Sequence, residues 1–267
     1  MATRGALTEI DDPSAIEAFM RRDPGLHVYE LGDLDPFFRP RTRWFGWHAE
    51  ELEAFCLLYT GSTPPTLVAL CRPDQTSAMT SLLEALHPHL PSRVYGHLSP
   101  GLAACFDSNW TVQGRGLHLK MLLTDPAAVH AVNTTSVLAP TAADVEALTA
   151  FYDASYPGHW FDARMLESGQ YRRVREGGRW LAAAGVHVYS AAYRVAALGN
   201  IATAPAHRRQ GRGRVVTAAV CQSLLESVDV IGLNVLADNT AARRCYEGLG
   251  FTDVCEYDEV LLERSDT

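Results

Sequence analysis

A chain of 267 residues, 47% apolar and 20% charged, can bury a sizeable core and stands at the upper edge of what one domain holds, so one large domain or two smaller ones fit. A formal charge of −8 argues against general nucleic-acid binding, which draws on a net basic face, and no run reaches the ~18 uninterrupted apolar residues of a membrane helix. Six scattered cysteines without a CxxC pair point away from a zinc knuckle or disulfide scaffold, and the opening MATRGALTEIDDPSAIEAF lacks the apolar block of a secretory signal, so a cytoplasmic protein with reduced thiols is expected.

In chain order, Ile16 to Met20 suggests a helix, and Tyr29 to Trp47 reads as helix, loop and strand anchored by aromatic rings. EAFCLLY and TLVALC read as strands, and TSAMTSLLEALHPHL as a helix stopped by Pro88. His87 and His89 lack a carboxylate or cysteine partner at ligand spacing, so a helix-ending turn is expected there and no metal is required. VQGRGLHLKML places Gly114 and Gly116 in a hairpin turn. The polar, proline-punctuated passage from Leu123 to Asp144 reads as a linker with a boundary near 130 to 136, dividing the chain into 1–132 and 133–267.

After the linker, Thr141 and Asp144 pair as a helix cap ahead of Val145, Leu148, Phe151 and Tyr152 at helical spacing. A second helix is expected from about Asp162, then two or three strands in RWLAAAGVHVYSAAYRVAALGNIATAP with a turn near Tyr193. Val216, Ala219, Val220 and Leu224 restore the helical period, followed by the buried-type strand VIGLNVLA, a short helix from Asn239 to about Glu247, and closing strands in FTDVCEYDEVLLE. The order is mixed α/β.

APAHRRQGRGRVV sets a strand end, a cationic turn and a helix start in succession. Unpaired N–H groups at a helix start attract anions, Gly211 and Gly213 let the backbone turn sharply and approach a ligand, and Arg208, Arg209, Arg212 and Arg214 add positive charge. GxxxxGK[ST] is absent, and Val216 stands where a dinucleotide fingerprint has its third glycine, so neither a P-loop nor a dinucleotide fold is indicated.

ATAPAHRRQGRG resembles the acyl-CoA signature of the GNAT acyltransferases, R-x-x-G-x-G after a strand, here Arg208, Gly211 and Gly213. LNVLADNTAARRCYEGLGF resembles the second half of that pattern: a strand, N-x-x-A, a tyrosine and a terminal G-F. The resemblance covers roughly Ser136 to Glu263 and implies a GNAT fold, a mixed sheet flanked by helices whose neighbouring parallel strands splay apart around acetyl-CoA. Main-chain groups of Ile201, Ala202 and Thr203 would meet the pantetheine arm, the segment Arg209, Gln210, Gly211, Arg212, Gly213 and Arg214 would hold the pyrophosphate with Arg208, and Asn239 would contact the cofactor. Tyr246, placed in the N-terminal part of its helix, would be the acid that protonates the departing thiolate. The strand before the loop offers Asn200 where a carboxylate base is common in the family, with His187 and Tyr189 on the preceding strand as further candidates.

The aromatic YPGHWF, Tyr156 to Phe161, is either an acceptor wall or a turn pinned by core rings. The first half, with no R-x-x-G-x-G of its own, faintly resembles the degenerate GNAT-like N-terminal half of two-domain relatives such as the glycine N-acyltransferase-like group. The implied activity is an N-acetyltransferase acting on a small-molecule primary amine, with a homodimer left open. A non-catalytic acyl-CoA-binding or regulatory protein and a protein N-acyltransferase are the alternatives.

Overall fold

The computed structural model describes residues 5–106 and 109–265. In the first half, short aliphatic and aromatic runs become strands wherever turns bound them, and amphipathic runs become helices. The elements are β1 (Ala6–Glu9), α1 (Pro13–Met20), α2 (Val28–Asp33), β2 (Thr42–His48), β3 (Leu52–Tyr59), β4 (Thr66–Ala69), α3 (Thr76–Leu86), β5 (Arg93–Leu98) and β6 (Trp110–Leu123). The second half contains α4 (Pro126–His130), α5 (Val145–Ser155), β7 (Arg172–Glu176), β8 (Arg179–Ser190), β9 (Val195–Thr203), α6 (Arg212–Leu224), β10 (Val230–Leu236), α7 (Thr240–Glu247) and β11 (Phe251–Arg264).

Contacts divide the chain into two units. The first comprises the chain through Lys120, Leu236–Asp238 and the segment from Val254; the second comprises Met121–Val235 and Asn239–Asp253. This division differs from one at 132/133, and the reason is strand pairing: Asp258–Glu263 of β11 pair antiparallel with Arg93–Leu98 of β5, which holds the last strand in the first unit. Two local expectations change as well. Gly114 and Gly116 lie inside the continuous strand β6 and make no hairpin, and the closing segment is one 14-residue strand.

Within the first unit the strand order is β1-β2-β3-β4-β5-β11-β6. β2, β3 and β4 run antiparallel, and β4 pairs parallel with β5 through the α3 crossover. Met79, Leu82, Leu83 and Leu86 of α3 bury against Cys56, Leu58, Val94, Leu98, Val260 and Leu262. At the β4–α3 junction the main chain is closed on itself: Cys71 N donates to Ser99 Oγ (2.9 Å), Arg72 N to Gln75 Oε1 (3.0 Å), and the Arg72 guanidinium pairs with Asp23. No anion site forms there.

The second unit repeats the same order, β7-β8-β9 antiparallel, α6, then β10 parallel to β9. Thr141 N donates to Asp144 Oδ2 (2.8 Å), and Leu148, Phe151 and Tyr152 form the buried face of α5. The helix expected near Asp162 is a single 3₁₀ stretch, Ala163–Ser168, whose first turn Asp162 caps and Gly169 ends in the left-handed region. Val216, Val220 and Leu224 of α6 are fully buried. Among the described residues no helix is long and apolar enough to cross a membrane.

A charged pair, Lys120 and Glu30, lies deep in the first unit. Lys120 is 1% exposed, donates to Leu26 O (2.6 Å) and stands 3.6 Å from the Glu30 carboxylate. Burial pushes Glu30 upward, but the Lys120 charge and the hydrogen bond from His27 outweigh it and hold the carboxyl at about 2. Removing one member of such a pair leaves a bare charge in the interior. Lys120→Met should therefore lower unfolding free energy by about 3–5 kcal/mol in urea denaturation, and adding Glu30→Leu should restore much of it.

Candidate active site

β9 and β10 share register only from Val195–Leu198 against Val230–Leu233. Beyond Leu198 the two strands part. The bend is local: Asn200 has φ 51°, and between the pairs Gly185↔Gly199 and Ala183↔Ala202 one β8 residue, Ala184, faces two on β9, Asn200 and Ile201, a β-bulge that turns the strand. Left-handed backbone is disfavoured for any residue with a Cβ and least so for Asn, so the position must be held from outside. Tyr152 Oη donates to the Asn200 carbonyl at 2.7 Å, and Asn200 Nδ2 donates to Tyr171 Oη at 3.0 Å. The remaining atom, Asn200 Oδ1, is buried without a hydrogen-bond partner, as is His187 Nε2.

Past the bulge, Ile201, Ala202 and Thr203 run on beside β8, with Ala182 opposite Thr203 and Ala183 opposite Ala202, while no β10 residue is in register with them. Pro205–His207 forms one 3₁₀ turn, Arg209 takes φ 61°, and Gly211 opens α6 at φ 75° as an N-cap with no capping side chain. The first-turn amides of Arg212, Gly213 and Arg214 thus have neither an intrahelical nor a side-chain acceptor. Gly213 faces β9 closely: a Cβ there would come within 3.2 Å of Thr203 Oγ1.

The arginines divide by role. Arg208 is exposed but tethered, its Nε donating to Thr203 O (3.3 Å) and its Nη2 to Ser155 O (3.1 Å), so its side chain ties the loop to β9 and α5. Arg212 reaches Gln210 and Glu176, and Arg214 reaches Gly248 O. Arg209 is exposed. The main chain faces outward while three of the four guanidinium groups brace it.

Asn239 caps α7, its Oδ1 accepting from Ala242 N at 3.2 Å. Tyr246 occupies the last turn of that eight-residue helix, not the N-terminal part, because Asn239 starts the helix seven residues earlier. Its ring is 8% exposed and packs on Phe251, and its hydroxyl donates to no protein group among the described residues. Burial pushes the phenol up, with the neighbouring Cys245 and Tyr156 adding to it, so it stays protonated. Tyr189 bonds Ser227 instead of the site. In YPGHWF, Phe161 packs on Tyr152 and Tyr171, whereas Tyr156 and Trp160 are 43% and 52% exposed.

Sequence reasoning missed Tyr152, Tyr171 and Asn234. The first two read as ordinary core tyrosines, and only their bonds to Asn200 reveal their use. Asn234, inside the buried-type strand β10 just past the last paired residue, leaves Oδ1 buried and unpartnered. An amide within VIGLNVLA was the available signal.

The model of the Acetyltransferase (GNAT) family matches residues 141–251, which include every element of this site. That stretch of the chain is similar to a GNAT acetyltransferase domain, a family whose activity class is acyl transfer. Solved structures also share the fold: a putative acetyltransferase of the GNAT family from Novosphingobium aromaticivorans has a TM-score of 0.54 and 24% identity over 74% of this chain and 84% of its own. A Drosophila protein reaches a TM-score of 0.70 at 11% identity, covering 96% and 98%. A tandem GNAT protein of the clavulanic acid biosynthesis pathway has a TM-score of 0.55 at 13% identity, covering 98% and 99%. No curated protein sequence is significantly similar to the chain.

Burial lowers His187 below the ordinary histidine value, with Asn200 opposing the shift. The folded second unit thus binds this proton less readily than the unfolded chain. The resulting stability is full above the unfolded value of about 6.5 and declines as pH falls below it. Melting temperatures followed from neutral to mildly acidic pH should drop more shallowly in His187→Gln than in the parent protein.

Proposed function

We propose that the GNAT domain transfers an acyl group, acetyl in the simplest case, from coenzyme A to the primary amine of a small molecule by direct attack. The reading rests on one juxtaposition: an open strand edge at Ile201–Thr203 leads into a helix start whose amides lack acceptors. An acyl-CoA carries the two matching parts, an amide-bearing arm and a diphosphate. Main-chain groups of Ile201, Ala202 and Thr203 bind the arm. Amides from Arg209 through Arg214, including Gln210, Gly211, Arg212 and Gly213, grip the diphosphate, Arg209 adds charge, and Arg208 keeps the loop in shape. Asn239 has its Nδ2 left for the cofactor once Oδ1 has capped α7.

The thioester supplies an activated carbonyl; the chain supplies donors and position. Tyr246, kept protonated by burial, donates to the departing thiolate and cannot act as base at neutral pH. Asn200 is no base either. Its Nδ2 is committed to Tyr171, and its unpartnered Oδ1 is an acceptor suited to orienting an amine N–H or a water. With no carboxylate in β9, the amine must arrive uncharged, so the rate should rise with pH until the acceptor's own ammonium has lost its proton. The exposed rings of Tyr156 and Trp160 offer a wall for an acceptor.

Tyr246→Phe should lower kcat by about 10²–10⁴-fold with little change in KM for acetyl-CoA, measured as amine-dependent release of coenzyme A thiol. Gly213→Val, which closes the gap to Thr203, should abolish acetyl-CoA binding in calorimetry while leaving the circular dichroism spectrum intact. Failure of the folded parent protein to bind coenzyme A or any thioester overturns the proposal. Binding without turnover would identify an acyl-CoA-binding protein, and turnover confined to peptides would identify a protein N-acyltransferase.

A further inference from the structure

Three buried polar atoms at the point where β9 and β10 separate have no hydrogen-bond partner: Asn200 Oδ1, His187 Nε2 and Asn234 Oδ1, all within the second unit. Buried polar atoms are almost always paired, so three at one place call for a guest. Register and glycines put them on one face of the sheet. Gly185 and Gly199 are cross-strand partners, so their missing side chains would share a face. Tyr171 fills the first position and His187 the second: a Cβ would come within 2.3 Å of the Tyr171 ring at Gly185 and 2.4 Å of His187 Nε2 at Gly199. Asn200 is on that face too, because its Nδ2 donates to Tyr171 Oη. On β10, Leu233 is the last residue in register, opposite Leu198, and side chains alternate along a strand, so Asn234 projects from the face that Gly199 would use. Gly199 and Asn234 are thus the first residues of the two separating strands.

The sense of the Asn200 amide is fixed by its neighbour. Tyr171 Oη lies against two groups that can only accept, Val186 O (3.2 Å) and Met165 Sδ (3.3 Å), so its proton is taken and it accepts from Asn200. Asn200, itself 2% exposed, therefore turns Oδ1 away from Tyr171 as an acceptor that nothing in the protein fills. Asn234 Oδ1 offers a second acceptor from the other strand. Both are uncharged amides, so the guest they suit is a neutral group with two N–H donors. With the diphosphate held after Thr203 and the arm lying along Ile201–Thr203, the thioester end of the cofactor comes back to Asn200, at the apex of the fork.

Building on the acyl-transfer reading, we propose that Asn234 positions the attacking amine: Asn234 Oδ1 and Asn200 Oδ1 accept its two N–H bonds, one from each strand, and leave the nitrogen lone pair free for the thioester carbon. That lone pair forms the C–N bond, the C–S electron pair leaves on sulfur and takes the Tyr246 proton, and the proton shed by nitrogen returns to Tyr246 through water. The sum is an amide and a thiol. Asn234 thereby sets specificity for an unsubstituted NH₂ group. A secondary amine has a carbon in place of one N–H and leaves one buried acceptor bare. In solution a secondary amine of similar basicity is no weaker as a nucleophile, so discrimination against it must come from the site.

The test compares kcat/KM in the full-length protein at about pH 9, read as release of coenzyme A thiol, for 2-phenylethylamine, n-butylamine and glycinamide and for the N-methyl derivative of each. In the best-used pair the parent protein should favour the primary amine by at least about tenfold. Asn234→Leu should lower kcat/KM for that primary amine by about 10–100-fold, barely change it for the N-methyl derivative and keep KM for acetyl-CoA, so that the preference disappears. Asn234→Asp, which keeps an acceptor oxygen, should retain the preference. A parent protein indifferent to N-methylation, or an Asn234→Leu variant that still prefers the primary amine, would overturn the role of Asn234 and leave acyl transfer standing. Binding of acetyl-CoA without turnover of any of these amines would overturn transfer to small primary amines and the role of Asn234 with it. If Asn234→Leu fails to fold, the shorter Asn234→Ala is read in the same way.

Discussion

Two parallel strands that are bonded at one end and separate at the other need a residue that takes the backbone out of register, and in the second unit Asn200 is that residue. Its left-handed conformation carries a cost of about 1–3 kcal/mol, offset by the hydroxyls of Tyr152 and Tyr171, which bond its carbonyl and its amide. Everything downstream follows from this bend. It frees the β10 side of Ile201–Thr203, directs the chain into the Pro205 turn, and sets Gly211 where α6 can begin with its amides uncovered. The same bond pattern accounts for an asparagine on this strand. A carboxylate facing the Tyr171 hydroxyl would lose the donor that Asn200 Nδ2 supplies.

Much of this was legible from residue spacing because the informative features are local. The Thr141–Asp144 cap, the period of α6, the two glycines and the Asn239 helix start all act within a few residues. What was not legible depends on partners distant in sequence. Asn200 reads as a weak substitute for a base until Tyr152 and Tyr171, 48 and 29 residues away, are seen to hold it. Arg208 reads only as an anion ligand until its bond to Ser155 O, 53 residues away, shows that it also braces the loop. β7 escaped notice because RRVRE has only Val174 to bury, as suits an edge strand. Gly114 and Gly116 suggested a hairpin, but a 14-residue strand carries them through the sheet.

The two units share an order of elements and differ in what the β–α junction does. In the second unit the junction is glycine-opened and outward-facing. In the first unit Ser99, Gln75 and Asp23 engage Cys71, Arg72 and its guanidinium, so the position that would receive a phosphate is filled by the protein itself. Polar chemistry in that unit lies elsewhere, in the buried Lys120–Glu30 pair. Ion pairs this deep add little net stability, although losing one member costs much more than the pair contributes.

The position of β11 between β5 and β6 has a consequence for biosynthesis. Both neighbours lie within residues 93–123, yet the strand that joins them, Phe251–Arg264, is synthesised only after the intervening elements β7 to β10. The amino-terminal unit cannot mature as a finished module while translation continues. Until its missing ribbon arrives, two unsatisfied sheet edges stay open, and nascent chains of this protein are a natural client for chaperones that shield such edges.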